Sequence, residues 1–238
     1  MKKSMSELRE LCKKSYYNPF QKKMHEFILY VTRPLLRTSI TPNQITISWL
    51  ILQFIAAIFM LAGTYKCNVI GIILFTVAML LDYIDGQIAR IKKISTYKGI
   101  FLEELGIYFG SPIFFLFFSI GVAKMYHNLS YALLGIISSL SILYSKLAVV
   151  KPLSYSEEKR ERLLKLKNSL TTRTKKKYLA FLTLIFRRSN PLNFMFFGII
   201  FGLPRLVLVI YTLLYVLEVT RRLSKQLITL HKLDKKGD

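Results

Sequence analysis

The sequence has few of the residues that build common active sites in soluble proteins. Its two cysteines, Cys12 and Cys67, are far apart and match no metal-binding or redox spacing. Its three histidines, His25, His127 and His231, are scattered along the chain. No glycine-rich loop of the Walker or Rossmann type is present. These absences exclude histidine metal sites, a catalytic triad and the loop-based nucleotide sites.

Acidic residues are also scarce, with 13 Asp and Glu against 35 Lys and Arg, for a net charge of +22. In a soluble protein this charge would suggest nucleic acid. Here the basic residues lie between apolar blocks of about 20 residues, the length of a bilayer-spanning helix. Hydrophobic residues make up 53% of the chain, and the mean hydropathy is +0.38. The pattern predicts an integral membrane protein that contacts anionic membrane lipid and binds no nucleic acid.

The apolar blocks predict an all-α fold, a bundle of six transmembrane helices within residues 41–220. Residues 1–40 form a basic N-terminal segment, residues 151–177 a basic cytoplasmic loop, and residues 221–238 a basic tail. The first span begins at a predicted capping box, with Thr41 as N-cap, Pro42 at the first helical position and Gln44 closing the box. The predicted spans are residues 41–63, 67–91, 99–123, 129–150, 190–203 and 204–220.

The N-terminal segment contains an amphipathic stretch. Phe20, Met24, Phe27, Ile28 and Val31 recur at helical spacing, with charged residues between them. This pattern predicts a helix lying in the membrane interface, and an ordinary packing helix is the alternative.

The distribution of basic residues orients the predicted bundle. Of 35 Lys and Arg residues, only Lys66, Lys124 and Arg205 fall on the side opposite the termini. Positive charge marks the cytoplasmic side of a membrane protein. We therefore expect both termini to be cytoplasmic, in the cell (plasma or inner) membrane.

One acidic stretch interrupts the apolar pattern. Asp82 and Asp85 lie near the end of the second span, and Glu103 and Glu104 lie near the start of the third. Acids at such positions are costly and favour a functional site. The loop between the two spans is short, so we expect them to be antiparallel neighbours whose carboxylates face one cytoplasmic pocket. Clustered carboxylates favour Mg²⁺ or Mn²⁺ and, beside an arginine, a pyrophosphate substrate. The alternative is that the acids only balance nearby Lys and Arg.

The same stretch resembles the signature of the CDP-alcohol phosphotransferases, D-x2-D-G-x2-A-R-x8-G-x3-D-x3-D. Six of its eight specified positions are matched, by Asp82, Asp85, Gly86, Ala89, Arg90 and Gly99. The TPNQIT sequence at the start of the first span is also similar to that of the family. The resemblance implies transfer of a substituted phosphate from a CDP-linked lipid or alcohol to a hydroxyl acceptor, with release of CMP. It also implies a homodimer.

The resemblance further implies roles for single residues. Asp82, Asp85 and Glu103 would bind the metal, and Gly86, Ala89, Arg90 and Gly99 would accept the CDP moiety. Independently of the resemblance, Asn43 lies at the cytoplasmic end of the first predicted span and could line the nucleotide site.

Two positions depart from the signature. Glu103 replaces the third Asp and can still ligate a metal, whereas Ile107 replaces the fourth, the family's usual candidate for the general base. Glu104, one turn before Ile107, is the substitute candidate; the alternative is that it only faces the interface.

Because of Ile107, a catalytically impaired relative that binds nucleotide or a partner protein is a second hypothesis. A transporter is a third, but its charges should lie near the midplane.

Overall fold

The computed structural model describes residues 4–12, 19–94, 96–150 and 193–234, and every regular element in these ranges is helical. This confirms the predicted all-α class. The helices are α1 (Met5–Leu11), α2 (Pro19–Leu35), α3 (Pro42–Leu61), α4 (Tyr65–Lys92), α5 (Tyr97–Leu105), a π-helical turn (Gly106–Gly110), α6 (Ser111–Tyr126), α7 (Ser130–Val150), α8 (Phe194–Ile200) and α9 (Pro204–Asp234).

Within the described residues, three stretches of helix are long and apolar enough to cross a membrane: Pro42–Leu61, Tyr65–Lys92 and the continuous Tyr97–Tyr126. They correspond to the first three predicted spans and are consistent with an integral membrane protein. The count of six spans, the interfacial position of α2 and the orientation of the termini stay predictions. The predicted loop 151–177 and the start of the fifth span lie outside the described residues.

The start of α3 confirms the predicted capping box. The Thr41 backbone N–H donates to Gln44 Oε1 at 2.9 Å, and the Gln44 N–H donates to Thr41 Oγ1 at 3.4 Å. Pro42, at the first helical position, has no N–H to satisfy. The capping box therefore fixes the residue at which α3 begins. The start of the helix in turn fixes which way the polar side chains of the next turn face.

An aromatic core joins the later helices to α4. Phe114 of α6 packs against Phe75 of α4, with ring centroids 4.0 Å apart. Phe115 contacts Tyr215 of α9 edge to face at 5.0 Å. Such ring pairs add to the energy of simple apolar burial. The core lies away from the acidic stretch, so it supports the site without forming part of it.

The N-terminal helices pack on α4 through a face that the sequence pattern did not identify. His25, Ile28 and Thr32 of α2 are buried, whereas Phe27 and Val31 are exposed. The apolar positions of the amphipathic pattern therefore divide between two sides of α2. The polar residues His25 and Thr32 lie on the side of α2 that contacts α4. The exposed apolar residues Phe27 and Val31 lie on another side of the helix.

The third span packs beside the first. The start of α5 and the π-turn lie against α3, and in the described residues α5 makes no extended contact with α4. The second and third spans are therefore neighbours where Phe114 of α6 packs against Phe75 of α4, but the α5 part that carries Glu103 packs on α3 instead. A short loop restricts the distance between helix ends, but it does not decide which helix the returning span contacts.

Small residues explain why α3 and the third span approach so closely. A Cβ on Gly106 would clash with the ring of Trp49, and one on Gly110 would clash with Gln53. Further along, a Cβ on Gly121 would meet the backbone carbonyl of Met60. Close approach through glycine is a common mode of helix packing in membranes.

Cys12 gives a test of how α1 docks. It is buried with Leu8, Leu29 and Ile91, and this burial raises the pKa of its thiol, while Arg90 nearby partly offsets the rise. Because the thiolate is the reactive form, we expect iodoacetamide to label Cys12 slowly at neutral pH in a Cys67→Ser background. Leu8→Ala removes a buried side chain from the same cluster and should speed labelling about tenfold or more.

The control for this labelling experiment is Glu10→Ala, which changes an exposed residue of the same helix. It should leave the labelling rate unchanged. Equal rates for Leu8→Ala and Glu10→Ala would contradict the docking of α1 on α2 and α4.

Candidate functional site

Asp85 of α4 is hydrogen-bonded to the neighbouring helix α3. Its Oδ2 accepts two hydrogen bonds from α3, one from Thr46 Oγ1 at 2.8 Å and one from Trp49 Nε1 at 2.8 Å. Hydrogen bonds to a carboxylate are among the stronger ones in proteins. The pair fixes the rotation of the carboxylate and ties the α4 segment to the first turns of α3.

The other predicted acids surround Asp85 less tightly. Glu103 of α5 lies near enough for its charge to act on Asp85. Asp82, one turn earlier on α4, is exposed, as are Glu103 and Glu104. The structure thus places one acid from each of two helices within electrostatic range, and the metal-binding and catalytic roles of all four acids stay predictions.

Gly86 follows Asp85 and is partly exposed beneath the Arg90 guanidinium. A Cβ built at Gly86 has the Arg90 guanidinium as its nearest neighbour, with Nη1 at 3.5 Å. This is ordinary van der Waals contact, so packing within the chain does not require a glycine here. A glycine that the packing of the chain does not require is suited to the close approach of a ligand to the backbone.

Arg90 carries a hydrogen-bond donor that lacks an acceptor. Its Nε is buried and has no hydrogen-bond partner in the described ranges. Its Nη2 lies 3.5 Å from His25 Nε2. A buried N–H without an acceptor is costly, and a phosphate oxygen is the acceptor that a guanidinium binds best. Arg90 is therefore suited to an anionic ligand next to Gly86.

A buried polar network behind Arg90 was not predicted. Gln87, fully buried, accepts from Thr32 Oγ1 at 2.7 Å and donates from Nε2 to the His25 carbonyl at 2.9 Å. The same Nε2 lies 2.9 Å from His25 Nδ1. This network fixes α2 against the face of α4 that carries Arg90. The one signal in the sequence is an amide between the motif residues Gly86 and Ala89, where an apolar side chain would be expected.

Gly99 and Asn43 meet at the start of α5. Thr96 caps α5, and Asn43 Nδ2 donates to Thr96 Oγ1 at 3.1 Å. A Cβ on Gly99 would lie 2.7 Å from Asn43 Oδ1. Both residues therefore have a structural role in joining α3 to α5, and their predicted contact with a nucleotide stays a prediction.

Thr46 and Trp49 are site residues that the sequence did not reveal. They lie three positions apart on one face of α3, and the chain has a single tryptophan. Both reach Asp85 across 36 or more residues of sequence. A polar residue and a tryptophan on one face of an otherwise apolar helix are the only signal that could have identified them.

The donor set can be compared with the needs of a divalent metal. Carboxylate oxygens are the ligands that Mg²⁺ and Mn²⁺ prefer. In the part of the chain that the structure describes, no group of three or more His, Cys, Asp or Glu side chains could hold an ion. Mg²⁺ is commonly bound by one or two carboxylates together with water and substrate phosphates. Asp85 and Glu103 therefore fit a metal whose coordination is completed by a pyrophosphate.

Comparison with known proteins agrees with this geometry. Residues 39–210, most of the chain, match the family model of the CDP-alcohol phosphatidyltransferases. No curated protein matches the chain. The matched region contains α4, which carries Asp85 and Arg90, and α5, which carries Glu103. It also contains α3, which packs against both. The match confirms the family inferred from the signature: the chain belongs to the CDP-alcohol phosphatidyltransferases, transferases of phospholipid synthesis that act on a CDP-alcohol and an alcohol acceptor.

Proposed function

We propose that the protein transfers a substituted phosphate from a CDP-alcohol, such as CDP-diacylglycerol, to a hydroxyl acceptor and releases CMP at the cytoplasmic face of the cell membrane. One observation carries the proposal: within six residues, α4 presents a hydrogen-bonded carboxylate, a glycine that packing does not require and a buried arginine N–H without an acceptor, at Asp85, Gly86 and Arg90. A pyrophosphate with its counter-ion satisfies all three.

The CDP moiety would lie along the face of α4 that carries Gly86 and Ala89. Arg90 Nε would donate to a phosphate oxygen of the CDP-alcohol. Asp82, Asp85 and Glu103 would hold Mg²⁺ or Mn²⁺. When bound, such a metal neutralises charge on the pyrophosphate and polarises its phosphorus–oxygen bonds.

The reaction forms one bond and breaks one. The acceptor hydroxyl oxygen bonds to the β-phosphorus while the bond from that phosphorus to the bridging oxygen breaks. CMP leaves with the bridging oxygen, and the hydroxyl proton passes to a base. We assign this base to Glu104, an exposed carboxylate on α5 one turn before Ile107. Positioning and electrostatics carry most of such a step, so a base displaced by one turn is compatible with turnover.

Ile107 also supports the second candidate, a catalytically impaired relative. Its backbone lies in the π-turn Gly106–Gly110, so the chain departs from regular helix where the signature expects the fourth acid. A protein of this kind would keep the nucleotide site of α4 and bind a nucleotide or a partner without turnover.

Turnover separates the two candidates. The purified chain, incubated with CDP-diacylglycerol, Mg²⁺ or Mn²⁺ and a panel of alcohols, is expected to release CMP. Glu104→Gln should slow release about 10²-fold, since a general base contributes roughly 10²–10⁴-fold. Glu10→Gln, a change at an exposed glutamate on α1, serves as the matched control and should have no effect.

Ile107→Asp completes the test by restoring the fourth acid of the signature. If the wild-type chain releases no CMP with any acceptor and Ile107→Asp does, the protein is the impaired relative.

If nucleotide binding survives Asp82→Ala and Asp85→Ala together, the proposed pocket is wrong.

A further inference from the structure

Trp49 touches both halves of the acidic stretch. Its indole Nε1 donates to Asp85 Oδ2 at 2.8 Å, and the six-membered part of the same ring covers Gly106, the first residue of the π-turn. The side chain is 6% exposed. One rigid ring therefore connects the carboxylate of α4 to the start of the turn that contains Ile107.

Trp49 holds Asp85 more firmly than Thr46 does. The Thr46 hydroxyl has one proton and two acceptors within reach, the Pro42 carbonyl at 3.0 Å and Asp85 Oδ2 at 2.8 Å. The indole N–H is a donor with a fixed direction, and the contacts place Asp85 in that direction. Of the two α3 donors that fix the Asp85 carboxylate, the indole N–H is thus the one whose direction is set by a rigid ring.

The position of the ring depends in turn on Gly106. A Cβ at Gly106 would overlap the Trp49 ring and would lie 2.7 Å from Leu50 Cδ2. Gly110, at the other end of the turn, faces the flexible side chain of Gln53 instead. Gly106 packs against Trp49, which contacts Asp85, whereas Gly110 packs against Gln53.

We infer that Trp49 is a positioning residue, which sets the orientation of the Asp85 carboxylate from the π-turn and so couples the acceptor side of the site to the donor side. The inference rests on the proposed function for the part that concerns metal and nucleotide. The contact between the ring, Gly106 and Asp85 is independent of that function and can be tested without any ligand.

The first test is Trp49→Phe, which keeps an aromatic ring at this position and removes the N–H. Groups that orient a metal ligand typically contribute roughly 10–100-fold to metal affinity. We expect Mn²⁺ affinity, measured by electron paramagnetic resonance of free Mn²⁺, to fall by about tenfold or more while the melting temperature changes little. Equal Mn²⁺ affinity in Trp49→Phe and wild type would overturn the inference.

The second test uses Trp49 as the only tryptophan fluorophore of the chain. Asp85→Ala removes the acceptor of the indole N–H, and Gly106→Ala displaces the ring. Both are expected to shift the emission maximum of the ligand-free protein. Gly110→Ala is the matched control, because it alters the same turn but meets Gln53, and its emission should equal that of wild type.

The outcomes keep the inference separate from the proposed function. If wild type binds no Mn²⁺, the metal assignment fails, and the emission of the ligand-free variants still decides the role of Trp49. If Gly106→Ala and Asp85→Ala both leave the emission unchanged, the coupling through Trp49 is wrong whether or not the protein releases CMP.

Discussion

Asp85→Asn is expected to lower CMP release by at least about 10³-fold. A metal on a phosphoryl oxygen contributes several kcal/mol to the transition state, and each 1.4 kcal/mol or so is about tenfold in rate. The substitution keeps the shape of the side chain and an oxygen that can accept from Thr46 and Trp49. The fold should therefore survive while the charge that binds the metal is lost. The measurement is CMP release from CDP-diacylglycerol, together with Mn²⁺ affinity.

Glu218→Gln is the control for the loss of a carboxylate elsewhere in the molecule. Glu218 lies on α9 and pairs with Arg222 within the same helix. An ion pair of this exposure contributes little to stability, so this variant should keep wild-type activity. Full activity of Asp85→Asn would remove Asp85 from the metal site.

Gly86→Ala is expected to weaken CDP-alcohol binding by about 10²-fold without lowering the melting temperature. The added Cβ meets only the Arg90 guanidinium at ordinary contact distance, so the unliganded protein accommodates it. A ligand lying on the backbone must instead move by roughly the size of a methyl group, and displacements of about 1 Å can cost about 10²-fold in rate. Nucleotide affinity and thermal unfolding would be measured on the same preparation.

Gly121→Ala is the matched control, with the opposite expected profile. Its Cβ would be forced against the Met60 carbonyl of α3, which cannot rotate away. Overpacking of this kind costs about 1–3 kcal/mol. The melting temperature should fall, while the nucleotide affinity of the folded fraction is unchanged. If Gly86→Ala instead destabilises the protein and binds nucleotide normally, Gly86 is a packing residue.

Local signals in the sequence were sufficient for much of the fold. The capping box at Thr41 and Gln44 formed as predicted because its residues lie within one turn of each other. A second box, Ser4 with Glu7, starts α1 and carries the same S-x-x-E signal, but the basic composition around it hid the helix.

The face of α2 was harder to predict. Its apolar positions suggest one side, and burial is decided by the polar pairing of His25 with Gln87.

The sequence indicated the part of the candidate site that follows one helix and did not reveal the contacts that join two helices. Asp85, Gly86 and Arg90 share α4, so one stretch of sequence contains all three and carries the resemblance to the family signature. The hydrogen bond from Trp49 to Asp85 joins residues 36 positions apart. The π-turn has no periodic signature, because an apolar run keeps its composition whether the helix is regular or widened. The contact of Trp49 with Gly106 depends on that turn.

The contact between Gly99 and Asn43 changes what a partial match to the signature means. In this chain a Cβ at Gly99 would be forced against Asn43, which joins the first and third spans, whether or not the protein transfers phosphate. A Cβ at Gly86 would meet the Arg90 guanidinium only at ordinary contact distance, so packing does not require glycine there. Within one motif, Gly99 is therefore explained by helix packing, whereas Gly86 is explained by the proposed binding of a ligand. A relative that keeps Gly99 and loses Gly86 would be expected to inherit the architecture without the chemistry, and the reverse combination should be rare.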